Sequence, residues 1–469
     1  MKYTNCIRPK PSKHRFPLTG SVGELLRGAV LTFGLAAVIV GPVSPAEEAQ
    51  ARRIAKSGSV TGEEKAAPGE SRSADDALKK GIEYLLKQQQ PDGGWGQGGG
   101  WRQDLKKTGA RVENEKAEDP SDVGNTCVSL MTLVRNGDTP AKGEHKDAAA
   151  KAFDFVCRYV EKADDDSLYV TPVRDTQLQV KIGAYVDTFL AGWVLSELKS
   201  NLPDEDAEKR RAAALEKVVR KIEKNQKTDG SFAGNTGWAA VLSQGLCSRA
   251  LNGAARSGAK VSADVLKKDQ QQNLAGFDVA SGSFTSPASP TAEPSSAGVS
   301  LYRETAKLGG LWEKSRTNEA LKQKAEKVLA DKDAPAPAKQ EAREQLDGFA
   351  RDEKAAGAAT QAVAGKLADT KYVAGFGNNG GEEFLSYLNV TESLRDRGGN
   401  EWDGWKPKMK TTVCGAQNAD GSWAGQHCIT GRTFCTATAL LTLLAEKNPP
   451  AVAATSDRPA KADKPAVTE

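Results

Sequence analysis

Histidine is scarce in this chain: three in 469 residues, at His14, His145 and His427. A metal centre built on imidazole could therefore draw on one histidine at most in any region. Aromatics are also few, with 8 Trp, 8 Tyr and 12 Phe, too few to wall a large cavity with rings. Strand-like alternation is missing throughout, which argues against a sheet protein. Past the N-terminus no apolar run approaches the roughly 20 residues that a membrane span needs. Neither sign of charge dominates, with 65 basic against 61 acidic residues and a net charge of +4. The basic residues are scattered rather than striped, so no nucleic-acid partner is expected.

The first 46 residues carry the order of an export signal. Basic residues lie between Lys2 and Arg27, an apolar run covers 28–40, and the small-residue patterns Ser44-Pro-Ala46 and Ala49-Gln-Ala51 follow. The run is short for a span, so cleavage is expected, with a retained anchor as the alternative. A cleaved chain would be periplasmic or secreted and would keep no membrane span. Residues 47–73 are polar and read as a disordered linker, and 449–469 as a disordered tail. Six cysteines follow the signal: Cys127, Cys157, Cys247, Cys414, Cys428 and Cys435. Export permits disulfides, and the last three crowd one region where a bridge could form.

Between residues 74 and 448 two kinds of helix alternate. One kind is amphipathic, at 75–89, 146–162, 207–226, 318–330 and 406–417, with a weaker segment at 262–274. The other is apolar nearly all round, at 125–135, 185–198, 236–255, 298–312, 383–394 and 432–445. The first kind suits a surface and the second a buried position. The pattern predicts an all-α fold, an α/α toroid of about six outer–inner helix pairs. Residues 330–370 interrupt it with a charged, alanine-rich helical insertion, either a lid or a surface excursion.

Three turns between outer and inner helices match one another: Gln89-Gln-Pro-Asp92-Gly93-Gly94-Trp95, Gln226-Lys-Thr-Asp229-Gly230-Ser231-Phe232 and Gln417-Asn-Ala-Asp420-Gly421-Ser422-Trp423. Asp-Gly supplies a tight turn with a residue free to take positive φ. The ring buries apolar area, and the Gln amide can satisfy backbone groups at a helix end. These residues are expected to staple the repeat rather than catalyse. The turns resemble the QW motif of squalene-hopene cyclases, over about residues 74 to 447. The segments Phe376–Tyr387 and Trp423–Cys435 resemble bacterial prenyltransferase and squalene-oxidase repeat proteins. That resemblance implies an α/α toroid and leaves the activity open.

The family's catalytic devices are not matched. The Asp-rich DxDD acid of the cyclases has only Asp164-Asp-Asp-Ser167 as a counterpart, with the wrong spacing. The Asp-x-Cys zinc spacing of protein prenyltransferases does not occur, and His427-Cys428 supplies two ligands, which are not a site. Cys414-Gly-Ala-Gln417 resembles a thioester motif but lacks its Glu. No cofactor or metal is therefore expected. Polar residues at the starts of inner helices are the candidate cavity lining: Asp122, Asn125, Tyr185, Asp187, Asn378, Asn379, Glu382, Glu383, Tyr387, His427 and Arg432. The acids among them could equally be helix caps or first-turn carboxylates. Three functions stay open: a toroid binding an apolar or glycan small molecule or a protein partner, a terpenoid-cyclase-like enzyme, and an exported polysaccharide lyase or hydrolase.

Overall fold

A computed structural model describes residues 73–99, 119–286, 297–377 and 379–447, all within the unit Glu64–Glu469. The expected export signal, the expected linker up to residue 72 and the expected C-terminal tail lie, like Asn378, outside the described residues.

The fold is all-α. Among the described residues there are fourteen helices and one hairpin of two-residue strands, Phe277–Asp278 with Ser283–Phe284. The outer helices are α1 (Ala74–Gln88), α3 (Lys146–Lys162), α6 (Glu205–Asn225), α8 (Ala263–Leu274), α10 (Ala336–Ala364) and α13 (Asn400–Gly415). The inner helices are α2 (Val123–Asn136), α5 (Val186–Glu197), α7 (Val241–Ser257), α9 (Ser300–Ala330), α12 (Gly381–Arg397) and α14 (Arg432–Leu444). Two short helices, α4 (Gln177–Ile182) and α11 (Thr370–Val373), lie in connections. Inner helices pack in the order α2, α5, α7, α9, α12, α14 and back to α2, a closed cycle.

One expected pair is built differently. The segment 318–330 is not a separate outer helix; it is the second half of α9, which runs unbroken for 31 residues. No Gly or Pro stands between Leu311 and Ala330 to stop it, so propagation wins. The supposed insertion supplies the outer helix instead. Pro335 caps the start of α10, with Pro337 in its first turn, where a missing N–H costs nothing. The buried Ala355, Ala356, Ala359 and Val363 lie on the part of α10 nearest the core.

The three matched turns tie three of the six outer helices to the next, α1 to α3, α6 to α8 and α13 to α1. Gln89 Nε2 donates to the Gly93 carbonyl of its own turn and to Ala148 of α3, both at 2.9 Å. Gln417 Nε2 does the same to Gly421 and to Ala77 of α1, again at 2.9 Å. Gln226 reaches Val265 of α8 at 3.5 Å. The amide thus bridges neighbouring repeats rather than capping its own helix. Each Asp accepts the amide two residues on, at 2.9–3.0 Å. Gly93, Gly230 and Gly421 hold φ between +83° and +90°, and a Cβ there would stand 2.4–2.5 Å from a carbonyl of the next outer helix. Trp95 and Trp423 are fully buried and donate from Nε1 to Leu85 and Val413 at 2.7 Å.

Charged groups also lie buried between the inner helices. Arg135 of α2 pairs with Glu197 of α5 at 2.6 Å and with Glu392 of α12. Glu392 pairs in turn with Arg249 of α7, which also meets Glu313 of α9 at 3.4 Å. Arg256 and Arg316 each reach Glu313 at 2.6 Å. Trp193 lies under both Arg135 and Arg249, 5.2 and 4.8 Å from its ring centre. Burial opposes ionisation of Glu392, yet Arg249 and Arg135 hold its carboxyl well below the usual range. Glu313 resists the same burial and falls to about 2 under Arg316, Arg256 and Arg249.

Two outcomes are expected from denaturant unfolding. Trp423→Ala should cost about 3–5 kcal/mol by cavity formation and loss of the Val413 bond, and more than Trp423→Phe. Arg249→Met should cost about 3 kcal/mol or more, because it leaves buried carboxylates short of a partner. Adding Glu392→Gln should cost less than the two single changes summed; strict additivity would show that the network is not coupled.

Candidate functional site

The starts of the inner helices share one end of the ring. Gly124 of α2 donates its amide to Asp187 of α5 at 2.8 Å. The Trp238 and Ala239 amides ahead of α7 donate to Val180 and Lys181. Tyr302 of α9 donates its hydroxyl to Glu383 of α12. Gly381 of α12 donates its amide to Ile429 ahead of α14 at 3.0 Å. Gln177 of α4 then spans the loop before α14, donating to the Cys428 carbonyl at 2.8 Å and the Thr430 hydroxyl at 2.9 Å, and accepting from the Gly431 amide at 3.0 Å.

The candidate residues divide into two groups there. Asp122, Asn125 and Asp187 are buried and bond at helix starts, with Asn125 Oδ1 left without a partner. Asp122 caps α2, accepting from the Asn125 amide and from Asn125 Nδ2, both at 2.8 Å. Asp187 accepts from Gly124 and from Gln179 Nε2. Burial first, then Asp187, raises Asp122 to about 7. Tyr185 stands apart, half-buried against Tyr169, with its hydroxyl on the Ala233 carbonyl at 2.7 Å.

The second group gathers around the start of α12. Glu383 sits in the first turn, fully buried, and accepts from Tyr302, from the Phe376 amide at 3.0 Å and from the Gly380 amide at 2.8 Å. His427 Nε2 approaches the same carboxylate to 3.7 Å. Glu382 is equally buried; one oxygen accepts from the Ile429 amide at 3.2 Å and Oε1 has no partner. Burial, then repulsion from Glu383, pushes Glu382 up to about 8. Burial and the Glu382 carboxylate likewise push the Cys428 thiol up to about 12, so it is a poor nucleophile at neutral pH. Tyr387 donates to the Val373 carbonyl at 2.9 Å. Asn379 has φ +47° and accepts through its carbonyl from the Gln426 amide. Arg432 lies further out, 3.3 Å from Asp420 of the third matched turn.

An aromatic group stands over this cluster. The Phe376 side chain meets Trp238 edge-on at 4.8 Å and His427 at 5.2 Å, and Trp238 touches Tyr302 beneath. Phe376 is 56% exposed, while Glu383 below it is not exposed at all. Single exposed apolar residues are ordinary; this one differs in having its amide anchored by a buried carboxylate. Sequence reasoning passed over Tyr302, Trp238, Gln177 and Phe376 as site residues. The signal for Phe376 was present, a lone aromatic in Gly375-Phe-Gly377, with both glycines at positive φ.

Other sequence-level features resolve plainly. All six described cysteines are free and buried, so the expected C-terminal bridge is not formed. The Gln417 side-chain amide donates to the Gly421 and Ala77 carbonyls, the role expected of it in the turn. Asp164 accepts from the Asp166 and Ser167 amides as a surface turn. No group of three or more His, Cys, Asp or Glu among the described residues is placed to hold a metal. No helix among them is long and apolar enough to cross a membrane. No family model matches the chain.

The raised acids set a pH dependence. Glu382 at about 8, with Asp122 and Asp269 at about 7, binds protons more tightly when folded than unfolded. Their contribution is complete below the ordinary carboxylate range and is lost as pH rises toward 8. Melting curves from pH 5 to pH 8 should therefore show falling stability. Glu382→Gln should remove on the order of 1–3 kcal/mol of that fall. An unchanged slope in the variant would mean that Glu382 is ionised at pH 7.

Proposed function

We propose that this chain is an exported α/α-toroid protein, similar to the prenyltransferase and squalene-oxidase repeat proteins, that binds a glycan at the loop-bearing end of its ring. The carrying observation is the anchored, exposed Phe376 beside Trp238 and His427. Sugar rings present C–H faces to aromatic rings and hydroxyls to nearby polar groups, so a fixed aromatic with a half-buried imidazole beside it suits them. The His427 ring nitrogens are buried without a hydrogen-bond partner, so a sugar would meet the carbon edge of the imidazole beside Phe376.

The buried ion pairs favour this reading over a terpenoid cyclase. A cyclase needs apolar volume among its inner helices, and here Arg135, Arg249, Glu313 and Glu392 fill shared space between them. Hydrolysis is less favoured because Glu382 and Glu383 are both fully buried and already committed to backbone amides.

The test is a panel of neutral oligosaccharides titrated into the full chain, followed by tryptophan fluorescence. At least one should bind, and Phe376→Ala and His427→Ala should each weaken it about tenfold (about 1.4 kcal/mol) with little change in Tm. Native mass spectrometry of protein from its own host provides the opposing outcome. A retained lipid or terpenoid, with no glycan binding, would falsify this assignment. Cell fractionation tests the export reading separately, by the presence of the mature chain outside the cytosol.

A further inference from the structure

A second cleft lies between the end of α3 and the loop that follows it, enclosing about 460 Å³. That volume falls in the roughly 300–1,000 Å³ range of small-molecule sites. Three cations line it, Arg158, Lys162 and Arg174, against one acid, Asp164. Asp164 is occupied, accepting from two backbone amides and the Ser167 hydroxyl. The remaining wall is Tyr159, Tyr169, Thr171 and Pro172 with aliphatic neighbours.

The two guanidiniums are held in place by the protein. Arg158 donates from Nε to Asp154 at 2.7 Å and from Nη2 to the Asp92 carbonyl at 2.8 Å, which ties it to the first matched turn. Arg174 lies flat on Tyr169, 3.5 Å from the ring centre, and donates from Nη1 to the Thr171 and Val173 carbonyls. Tyr169 is backed on another side by Tyr185 at 4.8 Å. Arg174 is thus exposed yet ordered, and a planar fork with an unspent edge suits a carboxylate. Lys162 adds a mobile third charge without a bond of its own to break.

We propose that this cleft is a second binding site, for a carboxylate-bearing ring of an acidic saccharide. A bare anion would leave most of the volume unfilled. A neutral sugar would leave Arg174 and Lys162 without a counter-charge in the cleft, whereas a uronate ring meets both the tyrosine-lined wall and these charges. The cleft shares no lining residue with the aromatic group at Phe376, so each site can fail without the other.

Calorimetric titration of the full chain with digalacturonate, its methyl ester and inorganic phosphate tests the proposal. Digalacturonate should bind, its methyl ester at least tenfold more weakly, and raised salt should weaken the acid form. Arg174→Ala and Lys162→Glu should each lower affinity at least tenfold, and Arg174→Lys by less. Both residues are exposed, so these variants should fold, and an unchanged Tm checks that. The site assignment is overturned if digalacturonate does not bind, if acid and ester bind alike, or if both variants match the parent. Phosphate binding as tightly as digalacturonate overturns the saccharide in favour of a bare-anion site.

Discussion

Closing a ring of helices requires the last repeat to meet the first, and here one side chain makes that join explicit. Gln417 spans 340 residues of sequence to hydrogen-bond Ala77, while Gly421 brings its turn within van der Waals reach of the Lys80 carbonyl. The first turn makes the same bridge forward from Gln89 to Ala148. The device that links the first repeat to the second also links the sixth to the first, without any new chemistry. What lies downstream depends on it. With α14 held against α1 and α2, the loop before α14 meets Gln97 and Gln177, and the start of α12 falls beside it.

The interior is polar where an apolar stack was expected. Arg and Glu in five inner helices pay a desolvation cost that only mutual pairing offsets. α14 contributes Thr, Ala and Leu instead, and takes no part in the network. Such a network is weak evidence for stability and stronger evidence for register: shifting one helix by a turn would leave a buried charge alone. It also sets the chemical character of the contacts between the inner helices, where ion pairs pack on the Trp193 ring.

The amphipathic and apolar helices, and the three turns, were readable because they follow local periodicity and turn chemistry. The long α9 was not. Its second half has the charged pattern of an outer helix, and nothing in the pattern says that it continues the helix before it; only the missing breaker does. Glu382 and Glu383 were picked out together, but their difference was invisible. Glu383 finds a tyrosine hydroxyl and two amides, and Glu382 finds one amide, because of partners 47 and 81 residues away in sequence. The free cysteines follow the same logic. Crowding in sequence placed Cys414, Cys428 and Cys435 near one another in the chain, while α13, the loop before α14 and α14 each bury one thiol.

The two ends of the inner helices therefore have different physical roles. Toward one end, the helices pair Arg135, Glu197, Arg249, Glu313 and Glu392 with one another. Where they start, buried acids are consumed in holding loops: Asp122 and Asp187 at α2, Glu382 at the loop before α14, Glu383 at the Phe376 loop. Each of those acids accepts at least one backbone amide, although Glu382 keeps Oε1 without a partner. Their function is to fix what stands above them. A rigid loop can present an exposed ring at little entropic cost on binding. On the proposed reading, binding should be sought one layer above the buried acids, at Phe376, Trp238 and His427, and substitutions in the acids should act on it only through the loops they hold.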